Sequence, residues 1–231
     1  MRGVLAAVAL VAAASPLVAL EPIPPSLRGS EKLNALINRV SEAQRSAETL
    51  SARFEQRRES RLLLDPVVSR GHFFFTAPEA VRWEYESPRA MTVLVANGSV
   101  ITYRPEEGRA ERVEVGRAQR RFMRFFSATQ PLAELREHFD FTLRDPGGDG
   151  RYQLELRPTT PQIRRRLRAI HIEIDRERFL PMVVAYDEPD GDTTRYVFSD
   201  VTVNSPLEEG LFSLDLPAGV EVVELRMRGG E

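Results

Sequence analysis

The sequence predicts a mainly β protein of the α+β class, an antiparallel sheet with one apolar face lying beneath a few helices. Three observations predict it. Beyond about residue 50, apolar and polar residues alternate with period two in one segment after another. Turn residues such as Asn97-Gly98, Asp145-Pro146-Gly147-Gly148 and Pro189-Asp190-Gly191 separate those segments. Helical spacing occurs only at the start and in the middle of the chain. A sheet with one apolar face cannot leave that face in water, so the helices are expected to lie across it. The 231 residues, 42% hydrophobic and 29% charged, exclude a disordered or fibrous chain, and all-β folds often reach this length as a single domain.

Residues 1–19 read as a signal peptide. Met1-Arg2 is followed by Gly, Val, Leu and Ala from Gly3 to Ala14, too short a run to span a bilayer and about right for an export signal. Ala12, Ala14 and Ala19 offer cleavage points, with Ala19 preferred. Residues 20–29, containing the Pro-rich stretch Glu21–Pro25, are expected to be a flexible N-terminal segment. A single domain then occupies 30–225, and 226–231 form a C-terminal tail. Leu33, Leu36, Ile37, Val40, Ala43, Ala47 and Leu50 recur at intervals of three and four, which predicts an amphipathic helix from Ser30 to Leu50 with Ser30 as its N-cap.

Strands follow. Ala52, Phe54 and Gln56 alternate with Arg53, Glu55 and Arg57; Val81, Trp83 and Tyr85 alternate with Arg82, Glu84 and Glu86. Met91–Ala96 and Ser99–Arg104 flank Asn97-Gly98, a pair suited to a tight hairpin. Further strands are expected at Phe139–Arg144, Tyr152–Arg157, Ala169–Asp175, Leu180–Asp187, Thr194–Val203 and Val220–Glu224. Between them, Arg117–Ala128 carries Phe122, Met123, Phe125 and Phe126 at helical spacing. Pro131 opens a second short helix.

Composition removes several chemistries. The chain has no cysteine, hence no disulfide, no thiolate site and no lipid-modified N-terminal cysteine. Its formal charge of −2 gives no pull toward nucleic acid. His72, His138 and His171 form no metal-ligand pattern, and no nucleophile elbow, phosphate loop or dinucleotide fingerprint is present; no cofactor is expected, and no enzymatic activity. Glu84 and Glu86 read as a solvated edge, and Asp187, Glu188, Asp190 and Asp192 as a polar hairpin tip. Arg164, Arg165, Arg166 and Arg168 form the one dense basic run, either a solvated loop or a contact for an acidic partner or a lipid headgroup.

The order of motifs resembles the LolA family of periplasmic lipoprotein carriers. The matching residues are Phe54-x-Gln56; Gly71-x-Phe73 followed by Pro78; Arg82-Trp83-x-Tyr85-x-x-Pro88; Asn97-Gly98 with Tyr103 and Pro105; and Leu211-Phe212 through Pro217-x-Gly219-Val220. The resemblance implies an incomplete antiparallel β-barrel with a helical lid over an apolar cavity that holds the acyl chains of lipoproteins. It implies loading by an inner-membrane ABC transporter (LolCDE-like) and delivery to an outer-membrane acceptor (LolB-like) by a soluble periplasmic monomer. The missing cysteine separates the chain from LolB itself, which is a lipoprotein. By strand parity the lining is expected to be Ala52, Phe54, Val81, Trp83, Tyr85, Met91, Val93, Val95, Ile101 and Tyr103, joined by Phe73 and Phe75 if Gly71 leaves the register unshifted. Leu33, Leu36, Ile37, Phe122, Phe125 and Phe126 are the lid candidates. One departure stands out: well-studied carriers have an arginine, linked to lid closure and ligand release, immediately before the proline matched by Pro78, and this chain has Ala77. A carrier of another acylated lipid, or a half-barrel sensory or interaction module without a ligand, are the alternatives.

Overall fold

The structure, a computed structural model, describes residues 20–114 and 132–226. Residues 1–19, the expected helix over 117–128 with Phe122, Phe125 and Phe126, and nearly all of the C-terminal tail lie outside them. Helix α1 covers Gly29–Ser46. The strands are β1 (Thr49–Glu59), β2 (Val67–Thr76), β3 (Ala80–Ser87), β4 (Met91–Ala96), β5 (Ser99–Arg104) and β6 (Arg109–Glu114), then β7 (Phe139–Arg144), β8 (Tyr152–Pro158), β9 (Ala169–Ile174), β10 (Pro181–Asp187), β11 (Thr193–Val203) and β12 (Glu221–Arg226). A 3-10 helix at Leu132–Glu137 supplies the expected short second helix, and Pro161–Arg164 forms one helical turn.

Two boundaries of the first helix differ from the sequence expectation. The N-cap position is Arg28 rather than Ser30, with no side-chain cap bond, so Ser30 lies inside the first turn. The helix stops at Ser46 instead of Leu50 because Asn204 competes for the chain there. Its side-chain oxygen accepts from the Glu48 amide at 2.7 Å and its amide nitrogen donates to the Ser46 carbonyl at 2.9 Å. Leu50 is thereby drawn into the sheet between Phe75 and Val203.

All twelve strands belong to one open sheet in the order β12-β6-β5-β4-β3-β2-β1-β11-β10-β9-β8-β7. The first strand is thus central, paired with β2 on one side and β11 on the other, while β12 and β7 form the two edges. Strand β6 escaped sequence reading because Arg109-Ala-Glu-Arg-Val-Glu114 is mostly charged, yet Ala110 in it is completely buried. The last strand breaks the antiparallel pattern: β12 runs parallel to β6. It arrives that way because the segment after β11 crosses the outer face, where Arg82 donates to the carbonyls of Leu211 (2.9 Å) and Ser213 (3.3 Å).

The main core lies on the inner face. Leu36, Ile37 and Val40 of α1 are buried in one cluster with Phe54, Phe73, Leu154, Leu156, Ile170, Ile172, Ile174 and Phe198 from the strands. Ile23, in the segment expected to be flexible, belongs to the same cluster. The helix spacing read from the sequence therefore does what amphipathicity requires, turning one stripe onto the sheet.

Candidate functional site

Residues paired across neighbouring strands share a face, so the register assigns every side chain. Ala52 faces Phe73, Leu50 faces Phe75 and Phe54 faces Gly71 across β1–β2; Phe73 faces Trp83, Phe75 faces Val81 and Gly71 faces Tyr85 across β2–β3. Trp83, Val81 and Tyr85 then face Val93, Val95 and Met91. Ten of the twelve residues expected to line the inner face, counting Ala52 and Met91, therefore stand on it together. Ile101 and Tyr103 do not. The two-residue turn Asn97-Gly98 pairs Val95 with Val100 and Val93 with Thr102, so odd positions on β4 meet even positions on β5. Ile101 and Tyr103 belong to the outer face with Leu94 and Thr92, and Val100 takes the inner place.

Gly71 carries part of the geometry. A Cβ there would stand 1.8 Å from the Glu84 carbonyl oxygen, so only glycine permits this approach of β2 to β3. The register slips between Arg70 and Gly71, before Phe73, so Phe73 and Phe75 keep the inward parity. With no side chain between them, the rings of Phe54 and Tyr85 meet edge to face at 5.0 Å. Trp83 is the hub of the aromatic cluster: its ring lies 4.6 Å from Phe73, 4.9 Å from Phe54, 5.3 Å from Tyr196 and 6.0 Å from Phe198. Phe54, Phe73, Phe75 and Val81 are buried, whereas Trp83, Tyr85, Val93 and Val95 are half-buried. The inner face is thus sealed near α1 and less covered along β3 and β4.

Sequence reasoning missed Tyr186, Tyr196 and Phe198. Their strands alternate as strongly as β1, but nothing local places β11 beside β1. Phe198 faces Phe54, Tyr196 faces Gln56 and Val184, and Tyr186 faces Thr194. Burial pushes the phenols of Tyr85, Tyr186 and Tyr196 above their ordinary value. Tyr85 is raised further by the adjacent Tyr196, to whose hydroxyl it donates. The apolar face thus contains a small neutral hydroxyl group of three tyrosines.

An apolar hollow bounded by Leu50, Ala52, Phe73, Leu180, Pro181, Phe198 and Val201 measures about 30 Å³, against the roughly 300–1,000 Å³ of typical ligand sites. A hollow of about 350 Å³ opens at one rim, its wall combining Val67, Tyr85, Pro88 and Met91 with the charged Arg58, Arg89, Arg104, Glu106 and Glu107. Tyr85 thus borders both the aromatic cluster and this opening.

Of the lid candidates within the described residues, Leu36 and Ile37 are buried against the sheet and Leu33 is half-buried at the cluster's margin. One ionic tie fixes the N-terminal end of α1. Lys32, the only lysine, stands 2.5 Å from Asp145 in the β7–β8 turn, and Arg176, in the β9–β10 turn, also donates to Asp145. The guanidinium of Arg176 lies 4.3 Å from the centre of the Tyr152 ring. Burial works to raise the Asp145 pKa, but the bonds from Lys32 and Arg176 outweigh it and hold the carboxyl at about 2. Ala77 follows β2, its amide donating to the Glu48 carbonyl at 2.8 Å.

Arg164, Arg165, Arg166 and Arg168 are all exposed. Arg168 pairs with Asp187 at 3.2 Å and Arg164 donates to the Thr159 carbonyl at 3.1 Å. Asp187 also receives His171 at 3.0 Å; against the opposing effect of burial, these contacts lower its pKa. Among the described residues no group of three or more His, Asp or Glu could hold a metal ion, and no helix is long and apolar enough to cross a membrane.

Residues 45–215 match the family described as outer membrane lipoprotein carrier protein LolA. An outer-membrane lipoprotein carrier protein of Methylococcus capsulatus is 27% identical over 183 residues, covering 78% of this chain and 83% of that one. A protein of the same description from Chromohalobacter salexigens is 25% identical over 205 residues, covering 84% and 86%. Among solved structures, an uncharacterized conserved protein from Thermus thermophilus superposes with a TM-score of 0.51 at 12% identity, covering 84% of this chain and 99% of that one. MucB superposes with a TM-score of 0.51 at 17% identity, covering 84% and 66%. These two likenesses concern the fold alone.

Proposed function

This chain belongs to the LolA family of outer membrane lipoprotein carrier proteins, and from that premise we propose that it binds the acyl chains of lipoproteins and shuttles them across the periplasm. In this reading residues 1–19 direct export, a LolCDE-like transporter loads the carrier and a LolB-like acceptor empties it. The observation that carries the reading is the largely apolar inner face, which runs from the buried Phe73 and Phe198 out to the half-buried Trp83, Tyr85, Val93 and Val95.

Energetics explain why a carrier is needed. Each methylene contributes about 0.8 kcal/mol, so a chain of about fifteen resists passage through water by roughly 12 kcal/mol. A soluble shuttle has to match much of that, yet release the lipid on contact with an acceptor. A closed apolar face that re-packs when α1 lifts meets both demands, because the aromatic side chains shield one another when empty and line the chain when filled. The reading requires no covalent step. The tie between α1 and the sheet falls to Lys32 and Asp145, which gives lid control a charged pair even though Ala77 stands where well-studied carriers have arginine.

Native mass spectrometry of the exported chain purified from the periplasm tests the proposal. Bound acylated mass is expected, and that mass distinguishes lipoprotein from another acylated lipid. One observation favours a second reading, a half-barrel interaction module without a ligand: the hollow beside Phe73 and Phe198 measures only about 30 Å³. Purification without bound lipid, together with no uptake of a fluorescent fatty acid, would select that reading and reject the carrier.

A further inference from the structure

The β1–β2 hairpin ends in Arg61-Leu62-Leu63-Leu64-Asp65-Pro66. Leu62 is 93% exposed and Leu64 104%. A single exposed leucine is ordinary, but three in succession at a hairpin apex are not. Leu63 is 43% exposed, and none of the three belongs to the core cluster. The ladder closes at Arg58–Val67, and the turn is held by the Leu62 amide donating to the Ser60 hydroxyl and the Leu63 amide donating to its carbonyl. Arg61 lies against Gly191 of the β10–β11 turn, which braces the apex so that the leucines project outward.

Two other features occupy the same rim of the sheet. Strand β9 begins at Ala169 opposite Asp187, where β10 ends, and β11 begins at Thr193 opposite Glu59, where β1 ends. The arginine run preceding β9 is therefore about three strand spacings, roughly 14 Å, from the base of the leucine apex. Of the four carboxylates in the intervening turn, Asp187 and Asp192 face Arg168 and Arg58, Asp190 accepts from the Asp192 amide at 3.1 Å, and Glu188 is half-buried. The third feature is the opening of about 350 Å³ whose wall includes Val67, Ser69 and Tyr85, on the flank of the same hairpin.

We propose that this rim is a membrane-contact surface, in which Leu62, Leu63 and Leu64 insert into an anionic phospholipid bilayer while Arg164, Arg165 and Arg166 meet its headgroups. A convex apolar apex beside exposed arginines combines the two signals that peripheral attachment requires, hydrocarbon insertion and charge attraction. The purpose of the contact rests on the carrier reading: docked this way, the opening at Tyr85 faces the bilayer and a lipid crosses with little exposure to water.

Flotation of the full chain with vesicles tests it. The wild type floats with phosphatidylethanolamine vesicles containing phosphatidylglycerol, and less with pure phosphatidylcholine. L62D/L64D lowers vesicle binding roughly a hundredfold, about tenfold for each leucine. R164E/R165E/R166E lowers it at least tenfold on anionic vesicles. Both variants retain wild-type uptake of a fluorescent fatty acid, so failure of the carrier reading, visible as no uptake by any form, is distinguishable from failure of this one. Equal flotation of wild type and L62D/L64D, or no flotation of the wild type, overturns the proposal. Binding of the wild type to solubilised membrane proteins but not to lipid vesicles also overturns it, in favour of a protein partner.

Discussion

Asp145→Asn probes the tie that holds α1 to the sheet. Asp145 is 16% exposed, between Lys32 at 14% and Arg176 at 24%. Lowering its carboxyl from 3.8 to about 2 corresponds to about 2 kcal/mol of native-state stabilisation, which residual solvent screening trims to about 1–2 kcal/mol. The variant also leaves two cations close together, so a loss of about 2 kcal/mol at pH 7 is expected, equivalent to about 4–8 °C in Tm for a domain of this size. Because folding depresses this pKa, the wild-type advantage is complete above about pH 4 and is lost as pH falls through about 2. Urea unfolding of both proteins from pH 7 to pH 3 measures it, and stopped-flow uptake of a fluorescent fatty acid reports whether α1 opens faster. Identical unfolding midpoints at pH 7, or an advantage that does not shrink below pH 4, would refute the assignment of this carboxylate as the tie.

Three further outcomes are expected. Trp83→Ala removes the ring shared by Phe54, Phe73, Tyr196 and Phe198; it lowers fatty-acid affinity about tenfold and stability by about 2–4 kcal/mol, with the far-ultraviolet circular dichroism of the sheet retained. Gly71→Ala drives a methyl group into the Glu84 carbonyl and costs more than about 3 kcal/mol, read as a fall in soluble yield and Tm. Tyr85, Tyr186 and Tyr196 remain protonated in the folded chain beyond pH 10, the ordinary phenol value. Their raised pKa values contribute stability that is complete below about pH 10 and is lost at higher pH, so absorbance at 295 nm rises further on adding denaturant at pH 11.

What was legible in the sequence was local. Asn97-Gly98 announces its hairpin, and both residues adopt positive φ, 50° and 78°, as that turn requires. Phe139–Arg144 matches its strand to the residue, because six alternating positions between turn signals leave little freedom. The same Asn97-Gly98 hairpin shows the limit. A two-residue turn exchanges odd and even positions between its arms, so parity carried across it unchanged put Ile101 and Tyr103 on the wrong face. Tyr196 and Phe198 were hidden for another reason. Their alternation is plain, but their partners Gln56 and Phe54 stand about 140 residues earlier, and no local pattern encodes such a pairing. The early end of α1 at Ser46 follows from Asn204, equally remote.

The central position of β1 governs how the chain is made. As the chain emerges N-terminus first into the compartment where it folds, residues up to 114 can form hairpins, yet Phe54 and Trp83 have no shelter on their far side until Tyr196 and Phe198 arrive. Until then the polypeptide presents a sticky half-sheet, the condition in which incompletely folded proteins aggregate or recruit chaperones. Truncation anywhere before residue 203 leaves the middle of the sheet with a raw edge, so fragments of this protein are expected in inclusion bodies rather than in solution.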